Sequence, residues 1–260
     1  MAHVIDFASA AAPPRRDGFV MTETASDMLR SLRLLRELDG GALTMIAGAP
    51  GVGKSRAVEA FMKEAPDATV IRMAKGEGTA WNLAKTIAGL YHASLPMNAI
   101  GLSGVRERLG AWLGPDAILI VDEAQYLDHR DRKTGERGAA LEWMRALAET
   151  AGCALALVGD LALEEAVARY PQLRSRMRRP VVVRSSPPED VAALAAAVGI
   201  EDDAILRALR SVAKRDGALR NVENVLRVAA LFAEGGAVRR EHVHAAIVDM
   251  KLAPAGGNAR

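Results

Sequence analysis

The chain has 260 residues, half of them hydrophobic, so it can bury the core of one α/β domain with a small appendage. Its 34 lysines and arginines against 32 aspartates and glutamates leave a net charge of +2, which neither demands nor excludes a nucleic-acid partner and passes that question to local clusters. Cys153 is the only cysteine, which excludes an internal disulfide or a cysteine zinc cluster; with no run of about 18 apolar residues and no basic, apolar leader, the expected setting is a reducing cytoplasm, away from membranes.

Residues 1–18, in which Ala10-Ala11-Ala12 precede Pro13-Pro14-Arg15-Arg16, carry neither the helical nor the strand period and are expected to form a flexible arm. Over 22–38, Met28, Leu29, Leu32, Leu35 and Leu38 recur at helical spacing, with Thr22 or Thr24 placed to cap the start. An apolar run from Leu43 to Ala47 reads as a buried strand. It leads into Gly48-Ala49-Pro50-Gly51-Val52-Gly53-Lys54-Ser55, which fits the phosphate-loop pattern GxxxxGK[ST] at every fixed position. A helix is expected over 54–63, then a strand over 69–73, helices over 80–91 and 104–113, and a strand over 117–121. A helix over 139–151, a strand over 154–158, a helix over 161–170 and a strand over 181–183 follow. Strands alternating with helices imply a mostly parallel sheet sandwiched by helices.

Past Pro187-Pro188 only helical patterns remain. Ile205, Leu209 and Val212 mark one apolar face, Val222, Val225, Leu226 and Ala229 a second, and Val243, Ile247 and Met250 a third. Over 187–260 ten basic residues meet ten acidic ones, so this part is not a uniformly basic nucleic-acid module. The expected organisation is an arm at 1–18, a nucleotide-binding α/β domain at 19–186, a helical lid at 187–252 and a flexible tail at 253–260.

The phosphate loop predicts a nucleoside triphosphate ligand. Its glycines let backbone N–H groups turn toward the phosphates, Lys54 supplies a point charge to the β and γ oxygens, and the Ser55 hydroxyl is placed to hold Mg²⁺. The run Ile118-Leu119-Ile120-Val121 ends in Asp122-Glu123, a strand delivering two carboxylates at its tip. Asp122 is the expected Mg²⁺ ligand and Glu123 the base for an attacking water. Asp160, at the next strand tip, fits two roles, a sensor of that water or an N-cap of the following helix. Arg174, Arg176, Arg178, Arg179 and Arg184 crowd a stretch with no acidic residue between Gln172 and Arg184, dense enough to suggest a phosphate or an acidic neighbour as partner rather than the chain's own fold. Arg220, in Gly217-Ala218-Leu219-Arg220, is either a side chain folded over the nucleotide or a surface arginine.

Together these motifs resemble the AAA+ ATPases over about residues 19–250. The strings Phe19-Val20-Met21-Thr22, Gly48 to Ser55, Asp122-Glu123-Ala124-Gln125-Tyr126-Leu127 and Gly217-Ala218-Leu219-Arg220-Asn221-Val222 resemble the transposition helper ATPases typified by phage Mu transposition protein B. That resemblance implies a P-loop AAA+ core with a helical lid, with ATP and Mg²⁺ as cofactors. It implies ATP-driven assembly of rings or helical filaments on duplex DNA, recruitment of a transposase, and hydrolysis that takes the filament apart. By position it implies Lys54 and Ser55 as Walker A, Asp122 and Glu123 as Walker B, Asp160 as sensor 1, Arg176 as the arginine finger and Arg220 as sensor 2. An acid at Asp160 departs from the Asn, Thr or Ser usual there.

In related filaments, loops on the inner side of the sheet meet the DNA backbone. The counterpart here is 73–79, with Lys75 and Thr79 as first candidates; the loop 128–138, with Arg130, Arg132 and Lys133, is the second, its mixed charges equally fitting a solvated loop. Contacts are expected to be with phosphates and nearly sequence-blind. Competing readings are an ExeA-like remodelling ATPase of a secretion or envelope complex and a nucleotide-gated switch that hardly hydrolyses ATP. A small-molecule kinase and a helicase fit less well.

Overall fold

The computed structural model describes residues 18–38, 41–92, 94–130 and 135–253. They divide into two compact units: Ala25–Ala49 with Lys54–Arg184, and Ser185 onward with the tip of the phosphate loop, Pro50–Gly53, and the described residues up to Thr24.

The first unit is built on five strands: β1 (Leu43–Gly48), β2 (Thr69–Arg72), β3 (Ile118–Asp122), β4 (Ala154–Gly159) and β5 (Val181–Val183). Their order is β2-β3-β4-β1-β5, and every pairing is parallel. β1, β3 and β4 are buried along their whole length, which is why they read as continuous apolar runs rather than alternating ones. On one face Leu43, Met45, Ile71, Leu119, Val121, Leu155 and Leu157 join a core with α3 (Ala80–Leu90), α4 (Met97–Leu113), α5 (Ala139–Ala151) and α6 (Leu161–Ala168). The alternate residue of β1, Thr44, faces α1 (Glu23–Glu37): its Oγ1 lies 2.8 Å from Ser31 Oγ, and both hydroxyls donate to the Arg179 carbonyl. Two buried hydroxyls are thereby satisfied inside an apolar layer.

Three features depart from the sequence pattern by more than a single residue at an element's end. The helix expected over 104–113 reaches back to Met97, with a break at Gly101, where φ is 64°. The helix expected over 161–170 ends at Ala168, and Pro171 opens a short α7 (Pro171–Ser175), the ring supplying the fixed φ that suits a first helical position. Residues Ala124–Leu127 form a 3-10 turn directly after β3.

The second unit carries α8 (Pro188–Ala196), α9 (Asp203–Ala213), α10 (Ala218–Phe232) and α11 (Arg240–Asp249). The three faces expected from sequence, with Val191 and Ile200 added, form one core, with Met250 at its margin. Asp202 caps α9 by accepting from the Ile205 N–H at 2.8 Å. Among the described residues no helix is long and apolar enough to cross a membrane.

Leu155 pairs with Leu43 on one side and Leu119 on the other and is fully buried. Leu155→Ala is expected to lower stability by about 2–5 kcal/mol, read as a lower urea midpoint at unchanged slope. Cys153 is also fully buried, and burial pushes its thiol up to about 11. At pH 8 it is therefore expected to stay a protonated thiol and to react with Ellman's reagent only after denaturant is added.

Candidate functional site

Because all five strands run parallel, their carboxyl ends open along one edge, and the site is assembled there. β1 runs out at Gly48 into the phosphate loop. The loop's first residue is fixed by an Ala49 N–H to Val183 O bond of 2.9 Å, and Lys54 Nζ donates to the carbonyls of Gly48 at 2.6 Å and Ala49 at 3.1 Å. Helix α2 (Lys54–Glu64) begins at that lysine with no acidic residue in its first turn. Its leading N–H groups have no partner within the helix, its dipole favours an anion, and Ser55 stands exposed beside them. Backbone amides, an ammonium and a hydroxyl are the donor set of a polyphosphate cradle, so the residues present fit a nucleoside triphosphate.

The tip of that loop packs within the helical unit. Gly51, at φ 83°, is so close to Gly217 that an added Cβ would lie 1.9 Å from the Gly217 oxygen, and the Arg220 N–H donates to Gly51 O at 3.1 Å. The two glycine motifs of the sequence thus meet backbone to backbone, with no room for a side chain. The Arg220 side chain is exposed.

Asp122 ends β3 in register with Arg72 of β2. It is 6% exposed, its Oδ1 accepts the Glu123 N–H at 3.0 Å, and its Oδ2 lies 3.9 Å from Arg72 Nε. Burial raises its pKa above the usual carboxylate range and the Glu123 charge adds to this, while the Glu123 N–H, Arg72 and Lys54 oppose it. A buried carboxylate of this kind gains from a cation, and with Ser55 it can supply the oxygen ligands Mg²⁺ takes. Arg72 carried no motif, and only the strand register brings it to the acidic pair.

Glu123 is exposed and left-handed at φ 58°, and its Oε2 accepts from Gln125 Nε2 at 2.6 Å. The Asp160 N–H donates to the other end of the same carboxamide, Gln125 Oε1, at 3.2 Å. Of the two roles open to the Asp160 side chain, the structure displays the cap: its Oδ1 accepts from the Ala162 N–H at 2.9 Å.

The arginine stretch splits by partner. Arg184 grips Glu164 with contacts of 3.0 and 2.9 Å, Arg179 binds the Asp27 side chain and its carbonyl, and Arg176 pairs with Glu149, which Arg145 also holds. The expectation that so dense a run would not serve its own fold is corrected for these three, whose carboxylate partners lie far along the sequence. Arg174 and Arg178 are exposed.

In the 73–79 loop Lys75 is exposed, while Thr79 caps α3, accepting from the Asn82 N–H at 3.1 Å. The loop leaves β2 beside the acidic pair, through a Met73 N–H to Asp122 O bond of 3.0 Å. In the other loop Arg130 is exposed and bridges Arg137 as an antiparallel pair; Arg132 and Lys133 lie outside the described residues. The loop's base is a knot that sequence reasoning missed. Asp128, 5% exposed at its side chain, takes Arg137 at 2.7 Å and also Arg169, and the Tyr170 hydroxyl donates to Asp128 Oδ1 at 3.2 Å and to Arg137 O at 2.9 Å. Burial beside Asp128 raises the Tyr170 pKa, so that hydroxyl stays a donor.

Fold and cradle together define a P-loop nucleotide-binding protein with a C-terminal helical unit. Residues 35–167 match the family model described as AAA domain, and the chain belongs to that family. Residues 175–250 match the model described as Mu B transposition protein, C terminal. The chain is 25% identical over 232 residues to the ATP-dependent target DNA activator B of Escherichia phage Mu and equally to that of Escherichia phage D108, covering 86% of this chain and 69% of each relative. Among solved structures, the Aeropyrum pernix ORC1 protein in complex with DNA superposes at TM-score 0.61 with 19% identity, over 91% of this chain and 68% of that one. Thermotoga maritima RuvB T158V superposes at 0.55 with 14% identity, over 93% and 74%. Both carry the same fold.

Asp128→Ala would leave Arg137 and Arg169 without their shared partner. It is expected to speed tryptic cleavage between 129 and 138 several-fold on gels, with the sheet core intact by circular dichroism; cleavage at the unsubstituted rate would show that the knot does not hold the loop.

Proposed function

We propose that this chain is an ATP-dependent, largely sequence-blind duplex-DNA-binding ATPase that assembles on target DNA, recruits or stimulates a transposase there, and is released by hydrolysis. The observation that carries the reading is the pairing of a complete phosphate cradle and acidic strand tip with a C-terminal segment matching the Mu B family, whose phage relatives are described as ATP-dependent target DNA activators. The setting is the cytoplasm in which such DNA is met.

In this reading Gly48, Ala49, Pro50, Gly51, Val52 and Gly53 wrap the phosphates, and Lys54 exchanges its carbonyl partners for β and γ oxygens. Mg²⁺, held by Ser55 and Asp122, supplies neutralisation of charge on those oxygens when bound. Glu123 accepts the proton of the attacking water, and Asp160 stands at the sensor position with its carboxylate engaged by the helix it caps. Arg220 senses the nucleotide from the helical unit. Arg176 acts on a neighbouring copy's γ-phosphate, for which it must leave Glu149. Lys75, the Thr79 hydroxyl proton, which capping leaves free to donate, and Arg130, with Arg132 and Lys133, meet DNA phosphates. Contacts of that kind weaken as salt rises and carry little base information.

Glu123→Gln keeps the side chain's size and removes its basicity. It is expected to lower phosphate release by roughly 100-fold or more, while filaments on plasmid duplex still form with ATP in negative-stain images. Turnover equal to the unsubstituted chain would remove Glu123 from the mechanism; particles that ignore DNA with or without nucleotide would contradict the DNA reading.

A further inference from the structure

We infer that Gln125 is the positioning residue for the base Glu123, and that Gly159 is a glycine to admit it. The inference deepens the hydrolysis reading above and rests on it. The Gln125 carboxamide spans two strand tips: Nε2 donates to Glu123 Oε2 at 2.6 Å, and Oε1 accepts the Asp160 N–H at 3.2 Å. Only the amide's own arrangement satisfies both ends, since a carboxylate accepts hydrogen bonds alone and needs a donor, while a backbone N–H needs an acceptor. A carboxylate in place of the amide would repel Glu123, and an alanine would leave it unheld.

Glu123 needs such a partner. It stands exposed on a left-handed backbone, at φ 58° and ψ 37°, directly after the buried strand, so little packing fixes its side chain. The hydrogen bond from Gln125 ties its carboxylate to the tip of β4, the strand that lies between β3 and β1 and their phosphate loop. Gln125 in turn is set by the 3-10 turn Ala124–Leu127, whose Ala124 and Leu127 are fully buried.

Gly159 supplies the space. A Cβ there would lie 2.4 Å from Gln125 Oε1 and 3.1 Å from a Leu163 side-chain carbon. Its φ is not positive, so the missing side chain serves clearance rather than backbone conformation, and what a Cβ would push aside is the far end of the Gln125 side chain. Any side chain at 159 displaces the carboxamide from the Asp160 N–H, and with it the hold on Glu123. Gln125 does not touch the reacting atoms in this account; it acts through Glu123.

Gln125→Ala, Gly159→Ala and the double variant are compared with the unsubstituted chain for steady-state ATP hydrolysis, for binding of a fluorescent ATP analogue, and in the nucleotide-free protein for the Gln125 side-chain amide resonance in ¹⁵N spectra. Each single variant is expected to lower kcat by roughly ten-fold, as loss of an orienting partner does, with KM and analogue affinity unchanged. The double variant is expected to lose no more than the larger single one, because both remove one contact. The Gln125 amide resonance, assigned by its absence in Gln125→Ala, is expected to move in both Glu123→Ala and Gly159→Ala. Should Gly159→Ala fail to fold, Gln125→Ala, which only removes a half-buried side chain, carries the kinetic test alone. Turnover in the unsubstituted chain with kcat unchanged in Gln125→Ala, or an amide resonance indifferent to Glu123→Ala, overturns the positioning role and leaves the hydrolysis reading standing. Absence of turnover in the unsubstituted chain overturns that reading and the positioning role together.

Discussion

The parallel pairing of β3, β4 and β1, with β4 in the middle, is the constraint on which the rest of the α/β unit depends. It sends the tips of four strands out along one edge, so that Gly48, Asp122, Gly159 and Arg72 become neighbours although as many as 111 positions separate Gly48 from Gly159 in the chain. A one-residue slip of β3 against β4 would exchange the two faces of the strand and bury Ile120 where Val121 belongs. The uninterrupted apolar runs of β1, β3 and β4 bury both faces of the sheet and concentrate polar chemistry at the tips, where the runs end.

At that edge charge is arranged for an occupant. A buried carboxylate at Asp122 is held partly by one backbone N–H and distantly by Arg72, and Lys54 donates to two carbonyls of its own loop. Exposed ion pairs elsewhere, such as Arg184 with Glu164, are each worth at most about 1 kcal/mol and serve to direct side chains more than to stabilise the fold. The Arg176–Glu149 pair belongs to this exposed class. It can therefore be given up cheaply when a stronger partner such as a phosphate is offered, which is the property an arginine acting on a neighbouring copy needs. The 73–79 loop is joined to the same edge by the Met73 to Asp122 bond, so a load on the loop is felt one strand pair from the acidic tip.

Much of this was legible in the sequence, for physical reasons. The phosphate loop, its strand and its helix follow from glycine spacing and an apolar run, and the helical faces of α9, α10 and α11 follow from periodicity. Strand order was not legible, because nothing in β4 as a string says that it enters between β1 and β3. Also hidden were contacts that join distant positions: Arg72 with Asp122, Asp128 with Arg137 and Arg169, and Gln125 with the Asp160 N–H. Gln125 appeared only as one letter within Asp122-Glu123-Ala124-Gln125-Tyr126-Leu127, and Gly159 carried no signal of its own. Thr79, a sequence candidate for DNA contact, caps a helix, since a loop threonine three residues before a free N–H is drawn to it. In the arginine run, Arg176, Arg179 and Arg184 have carboxylate partners on other elements, which the run itself does not show.

The central claim is that nucleotide binding at this edge switches on contact with duplex DNA. The measurement that tests it most directly is fluorescence anisotropy of labelled duplexes of unrelated sequence. The unsubstituted chain and Lys54→Ala are each titrated with and without a slowly hydrolysed ATP analogue, over a range of salt concentrations. The account predicts tight binding only for the unsubstituted chain with the analogue, similar for every sequence and falling steeply as salt rises. Equal binding with and without nucleotide, or in Lys54→Ala, would contradict it.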